Sequence, residues 1–135
     1  MSQASNHLEE LALNWIFTTG TATRPTAWHV GLYTSNPADD NSGTELTIGT
    51  NGYTRESATF SAATTDGTKH SVKNSADITF GPANGGNWGL ITHVAVHDAS
   101  TGGNMLAYAQ LDTSKTVSDG DTFVIQANNL TISLD

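Results

Sequence analysis

Cysteine is absent from this sequence of 135 residues. Its absence excludes thiolate catalysis, iron–sulfur ligation, thiolate zinc sites and disulfide bonds. A chain of this length buries about two thirds of its unfolded surface when it folds as one domain, so it needs neither a metal nor a disulfide to be stable. We therefore expect one domain over residues 1–135.

Basic residues are scarce: 5 Lys and Arg face 13 Asp and Glu, which gives a formal net charge of −8. That sign is wrong for binding a phosphate backbone through counterion release, so we expect no direct nucleic-acid partner. Charged residues are also few, at 13% of the chain. Thr, Ser, Asn and Gly supply the polarity instead, and these short side chains suit closely spaced β-strands.

Long apolar runs are missing as well, since none approaches the roughly 18 to 20 residues that cross a bilayer. Neither a basic region nor an apolar region of a signal peptide occurs in the start, MSQASNHLEELA. We therefore expect no membrane partner.

One segment near the N-terminus has the period of an α-helix. Its apolar stripe consists of Leu8, Leu11, Ala12, Trp15 and Ile16. Asn6 and Glu9 have the spacing of a capping box, and Gly20 suits a C-terminal stop. The pattern predicts a helix over about 6–18. Leu13 widens the apolar sector, so we expect the helix to be covered twice, by the rest of the domain and by a neighbouring molecule.

Beyond Pro25 the apolar period changes to two. Trp28, Val30 and Leu32 alternate with His29, Gly31 and Tyr33. Further short runs lie at 45–48, 53–55, 57–60, 70–73, 77–80, 90–97, 105–111, 122–126 and 129–134. The turn pairs between them are Asn51-Gly52, Asp66-Gly67 and Asp119-Gly120. These patterns predict a mainly β fold, an antiparallel β-sandwich over 26–135, of which the jelly roll is one form, with one N-terminal α-helix.

The histidines do not form a recognisable metal site. His93 and His97 share one face of a predicted strand but lie about 13 Å apart along it, whereas each ligand of a zinc ion lies within about 2.1 Å of the metal. We therefore expect no metal and no cofactor. Both histidines are expected to be half-buried strand residues that bond to backbone or to a neighbouring subunit.

Catalytic motifs are also missing, including the nucleophile elbow and the phosphate-binding glycine loops. The paired carboxylates Glu9/Glu10, Asp39/Asp40 and Asp119/Asp121 sit at a helix start or in turns, where such residues are favoured locally. We therefore expect no catalytic residues and no enzymatic activity.

Two polar loops, at 35–44 and 98–104, are candidates for contact with a partner. Tyr33 and Trp88 are candidates for an exposed aromatic contact, although packing within the glycine-rich turn is the alternative for Trp88. The predicted interface residues are Leu8, Leu11, Leu13, Trp15, Tyr33, Asp39, Asp40, Trp88, His93 and His97.

Three segments carry a family resemblance: TATRPTAWHVGLYTSNP at 21–37, NGYTRESATF at 51–60, and the run from ITFGPANGGNWGLITHVAVHDA at 78 to the end. They are similar to small virion proteins of tailed bacteriophages, described as tail-fibre-like, head-fibre or capsid-decoration components. The resemblance implies a structural, oligomeric β protein without catalytic residues. The chain departs from the family at Asn128 and Asn129, which replace a glycine-containing turn, but Asn also adopts positive φ.

Two functions are compatible with this resemblance. In the first, the chain is a capsid decoration, or cement, protein on the outer surface of the virion, assembled in the host cytoplasm. It would bind the major capsid protein or other virion proteins as a homotrimer, with the helix buried against a sister subunit or the shell. In the alternative, it is a tail-fibre or head-fibre module that binds a host receptor or glycan through the two loops and Tyr33 or Trp88.

Overall fold

The computed structural model describes residues 2–134, apart from the side chain of Asp66. Within them the chain forms one α-helix, α1 (Asn6–Phe17). The strands are β1 (Ser2–Ala4), β2 (His29–Tyr33), β3 (Glu56–Ser57), β4 (Thr64–Asp66), β5 (Lys69–Lys73), β6 (Ile78–Phe80), β7 (Gly89–His97), β8 (Met105–Val117), β9 (Phe123–Ile125) and β10 (Thr131–Leu134). The fold is mainly β with one helix, as the sequence predicts.

The strands form three antiparallel sheets. The largest has the order β1-β8-β7-β2-β3, and two smaller sheets have the orders β10-β5-β4 and β6-β9. Alternation explains the layering, because Val30 and Leu32 of β2 face the smaller sheets while Tyr33 faces the other way. The large sheet and the small sheets therefore enclose the main core in a sandwich. Its larger buried side chains include Tyr53, Phe80, Trp88, Ile91 and Phe123.

The N-cap of helix α1 lies one residue earlier than predicted. Ser5 is the N-cap, and its side chain accepts a hydrogen bond from the Leu8 N–H at 3.1 Å. Asn6 is the first helical residue, so the predicted capping box with Glu9 is wrong. At the other end Thr18 caps the helix by donating to the Asn14 carbonyl at 2.7 Å, in place of the predicted stop at Gly20. Of the residues described, no helix is long and apolar enough to span a bilayer.

Several strands differ from the predicted runs. The run 45–48 makes only an isolated bridge between Glu45 and Tyr33, and 53–55 forms no strand. The strands β1 and β4 were not predicted, because three residues are too few to display a period. Strand β8 continues to Val117, well past the predicted end at 111, through a bulge opposite Thr92.

The predicted turns carry positive φ angles where the chain reverses. Asn51 and Gly52 have φ of 51° and 77°, which suits the mirror-image turns of hairpins. Asn128 has φ of 69°, so asparagine does replace the glycine expected before the last strand.

Candidate functional site

Helix α1 is fastened to the body of the protein at its N-terminal end. The Ser5 N–H donates to the Leu106 carbonyl at 3.0 Å, and its hydroxyl donates to the Met105 carbonyl, so the cap is bonded to β8. The Asn6 N–H donates to the Asp39 carbonyl at 3.0 Å, which joins the helix to the loop 35–44. The helix start is therefore held on two sides.

The C-terminal end of the helix is instead open to solvent. Four large apolar side chains there form a surface that we term the helix tip: Leu13, Trp15, Ile16 and Phe17, exposed by 58%, 69%, 62% and 77%. At 100° per residue Trp15 lies nearly opposite Leu13 and Phe17, so the last turn is apolar around most of its circumference. The last turn of α1 also contains no basic residue.

This exposure corrects the prediction for the apolar stripe. Leu8 and Leu11 are half-buried against the body, but Trp15 and Ile16 are not covered. The contacts of the helix include β1 and β8, and its backbone bonds to the body are made at its beginning, by Ser5 to β8 and by Asn6 to the loop 35–44. Phe17, which the sequence analysis did not select, is the most exposed member of the helix tip. The signal for it was the unbroken apolar run Trp15–Phe17 at the helix end.

The loop 35–44 is bonded to the outer face of the large sheet, which is the face away from the main core. The Tyr33 hydroxyl donates to the Asn41 side chain at 2.7 Å, and the Tyr108 hydroxyl donates to the Asp39 carboxylate. Burial and the nearby Asp39 raise the pKa of Tyr108 to about 12. Asp39 and Asp40 are exposed, as a contact role requires. A hydrogen bond from Ser42 lowers the pKa of Asp40.

Tyr33 and His97 are buried beneath this loop. Tyr33 is 1% exposed and His97 is 0% exposed, so the predictions of an exposed Tyr33 and a half-buried His97 are wrong. Their rings stack with centroids 6.0 Å apart, and the Tyr33 hydroxyl lies 3.0 Å from His97 Nε2. Burial lowers the pKa of His97 to about 4, and the positive charge of Arg55 acts in the same direction. His97 is therefore neutral at pH 7 and lies away from any external partner.

His93 lies four residues before His97 on β7 and is half-buried, as predicted. Its Nδ1 lies 2.8 Å from the Thr92 hydroxyl, and burial lowers its pKa. Across residues 2–134 no three metal-ligating side chains come together closely enough to hold an ion.

Trp88 is 6% exposed, so its predicted role as a surface contact is wrong and the alternative of turn packing is confirmed. Its indole N–H donates to the Asn51 carbonyl at 2.8 Å, and its ring meets Tyr53 edge to face at 5.6 Å. Trp88 thus connects two turns to the main core. With Tyr33 and Trp88 both buried, neither predicted aromatic platform for a sugar is available.

A buried ion pair, which the sequence analysis did not identify, holds the loop 98–104. Arg55 donates through Nε and Nη2 to the two carboxylate oxygens of Glu45 at 2.8 and 2.7 Å. The side chains of Arg55 and Glu45 are 5% and 16% exposed. Arg55 Nη1 donates to the carbonyls of Ala99 and Gly102, both at 2.9 Å. Gly31 leaves room for this pair, because a Cβ there would lie 2.7 Å from Glu45 Oε1.

The family comparison decides the protein class. The family described as Podophage GP4 fiber I protein gp80 matches residues 3–133 of the chain. The chain belongs to this family. It is therefore a phage fibre protein and a structural component of the virion, which confirms the resemblance to tailed-phage virion proteins. No curated protein matches the chain.

Membership of a fibre family supports the coarser part of the functional prediction. It agrees with the fibre alternative, while the decoration reading receives no specific support from it. The remaining predicted interface residues keep that role as a prediction: Leu8, Leu11, Leu13, Trp15, Asp39, Asp40 and His93. Among them Leu13, Trp15, Asp39 and Asp40 are exposed, which suits a contact.

Proposed function

We propose that the protein is a non-catalytic module of a phage fibre on the outside of the virion, and that its helix tips join copies of the chain into a trimer. The observation that carries this proposal is the exposure of Leu13, Trp15, Ile16 and Phe17 on a helix whose other end is bonded to the body. Side chains of this size are rarely left uncovered together unless they meet a partner.

The size of the helix tip supports a contact role. With exposed fractions between 58% and 77%, the four side chains present on the order of 500 Å² of surface, near the upper limit for one patch on a monomer. Covering it contributes about 12 kcal/mol at about 25 cal/mol per Å². Association itself costs about 4–15 kcal/mol, so the helix tip is the centre of an interface that needs further contacts.

The distribution of the apolar side chains favours several copies over one flat partner. A single surface covers one side of a helix, whereas Trp15 lies nearly opposite Leu13 and Phe17. In a threefold arrangement each helix contacts two neighbours, so two sides of each tip are covered at once. Threefold symmetry is one of the closed point groups that homo-oligomers adopt.

A non-catalytic role agrees with the groups that have shifted pKa values. Tyr33, Tyr108 and His97 each bond to another side chain of the protein. Burial and these neighbours account for their pKa values without a substrate.

The test uses a triple variant in which Leu13, Trp15 and Phe17 are each replaced by serine. Sedimentation equilibrium measures the mass of the oligomer that it forms. The native chain is expected to sediment as a trimer and the triple variant as a monomer with an unchanged circular dichroism spectrum. Leu90→Ser is the matched control, because Leu90 is 50% exposed on β7, outside the helix tip. The control is expected to remain a trimer. The proposal would be refuted if the native protein is a monomer at all concentrations and in the virion. It would also be refuted if the triple variant is still a trimer.

The decoration reading predicts a different outcome for the same variant. Purified native protein would then bind DNA-filled heads that lack it and protect them from heat, and the serine variant would lose that binding. Under the fibre proposal, the native protein enters virions with the other fibre components and does not saturate sites on the head shell.

A further inference from the structure

An open groove of about 710 Å³ lies between the second half of β8 and strand β9. Residues 109–113 and Lys115 line one wall, residues 122–126 line the other, and Ser2, Val94 and residues 129–131 complete the lining. The groove therefore separates the large sheet from the β6-β9 sheet on this side of the sandwich.

Both walls of the groove are strand edges with unused backbone groups. Strand β1 pairs only with Ala107, Tyr108 and Ala109 of β8, so the outer edge beyond Ala109 has no neighbouring strand among the described residues. Strand β9 pairs with β6 on one side and is likewise the edge of its sheet. Such edges carry unpaired N–H and C=O groups that accept a further strand.

The exposure of β8 shows how open this wall is. Residues 112–116 are exposed without interruption, although side chains of a strand alternate between its two faces. Both faces of this half of β8 therefore lack cover. Exposed Val124, at 41%, adds an apolar side chain on the facing strand.

The segment that follows the helix tip has the complementary property. Residues 19–27, which we term the arm, belong to no helix or strand, and among residues 2–134 their backbone groups bond to no other backbone group. The arm begins TGTATR, and β-branched threonine alternates there in the manner of a strand up to Pro25. Pro25 has no N–H, so it limits the length that can pair.

We infer that the arm of one copy occupies the groove of a second copy as an added antiparallel or parallel strand. This inference rests on the proposed association of copies through the helix tip. The arm leaves directly from the helix tip, so the contact that brings two tips together also delivers each arm to a neighbour. The exchange supplies the further contacts that the helix tip alone lacks. It also gives partners to the unpaired backbone groups of the arm, of the β8 edge and of the β9 edge.

Charge and side-chain chemistry agree with this occupant. From residue 11 to residue 28 the chain has a single charged side chain, Arg24, while the whole chain carries −8. The groove lining carries one charge of each sign, Asp112 and Lys115, so the nearly uncharged arm meets no net repulsion there, and Asp112 has the opposite sign to Arg24. The wall residues Thr113, Thr122 and Thr131 suit a threonine-rich strand, because threonine pairs across strands through its hydroxyl and methyl groups.

The absence of cysteine permits a direct test by disulfide trapping. One full-length chain carries Thr21→Cys in the arm, and a second carries either Thr113→Cys or Thr122→Cys on a wall of the groove. The two are expressed together in infected cells, virions are purified and oxidised, and the products are separated without reducing agent. A bridge requires Cα atoms within about 7 Å, so a band of twice the monomer mass that needs both chains is expected.

The matched control pairs Thr21→Cys with Thr101→Cys, because Thr101 is exposed in the loop 98–104, outside the groove. It is expected to give no such band. No mixed dimer with either wall position would overturn the inference, as would a single chain carrying both cysteines that closes only on itself. If the trimer forms and depends on the helix tip but no trapping occurs, the proposed function stands and the arm exchange does not. If no trimer forms, the proposed function itself has failed.

Discussion

Replacing Arg55 by methionine should be among the most destabilising single changes in this protein. The substitution removes both charge-assisted bonds to Glu45 and both bonds from Nη1 to the carbonyls of Ala99 and Gly102. Glu45 then remains at 16% side-chain exposure with Tyr53 as its remaining hydroxyl donor. Removing one partner of a buried ion pair costs about 3–5 kcal/mol, because the other charge is left uncompensated.

A loss of that size lowers the melting temperature by roughly 10–20 °C for a domain of this length. Urea unfolding followed by circular dichroism measures the free energy directly, and Glu10→Gln, at an exposed position of α1, serves as the control with an expected change below about 0.5 kcal/mol. Hydrogen exchange should also accelerate in residues 99–103, which Arg55 holds. A cost below about 1 kcal/mol for Arg55→Met would show that the ion pair contributes no more than an exposed one.

The double variant Glu45→Leu/Arg55→Met separates the pair from the desolvation of its members. It should be less destabilised than the sum of the two single variants, because no unpaired charge remains. Strict additivity of the two single variants would contradict the assigned bonding.

Two further predictions concern buried polar side chains. Asn74→Ala should cost about 3 kcal/mol or more, because Asn74 is 0% exposed and bonds three backbone groups that then lose their partner; Asn84→Ala at an exposed site is the control, and equal costs would contradict the assignment. The pKa of His97 is lowered from 6.5 to about 4 in the folded chain. As the pH falls, His97 therefore takes up its proton in the unfolded chain first. The contribution of neutral His97 to the free energy of unfolding is therefore complete above the pKa of the unfolded chain and is lost towards pH 4. By linkage the change is about 3 kcal/mol. In the variant His97→Gln, the free energies of unfolding at pH 7 and at pH 4.5 should differ less than they do in the native chain. A pH dependence as large as that of the native chain would refute the role of His97.

Most of the β architecture followed from local pattern. Strands β2, β6, β7 and β9 coincide with runs of alternating or dense apolar residues, because one face of each strand lies in the core. The strands that were missed or wrongly assigned are short or lie in loops. Tyr53 and Arg55 alternate like strand residues, but they are buried by a turn and an ion pair.

The candidate site was predicted less completely, since exposure depends on which other segments cover a residue. Ser5 and Asn6 are both good helix caps, and the bonds of Ser5 to β8 decided between them. Tyr33 alternates away from the core and so was expected on the surface. The loop 35–44 closes over that face through Asn41 and Asp39, a contact that no local period encodes.

The amino-acid sequence by itself determined the helix, the alternating strands, the turns at Asn51-Gly52 and Asn128, and the resemblance to phage virion proteins, because these depend on residues close together in the chain. Only the tertiary structure decided that the helix tip stands free while Tyr33, Trp88 and His97 are covered. The physical reason is that burial is a property of pairs distant in sequence. The Tyr33–His97 contact, for example, joins residues 64 positions apart, and the helix tip is exposed because no such distant segment within residues 2–134 covers it.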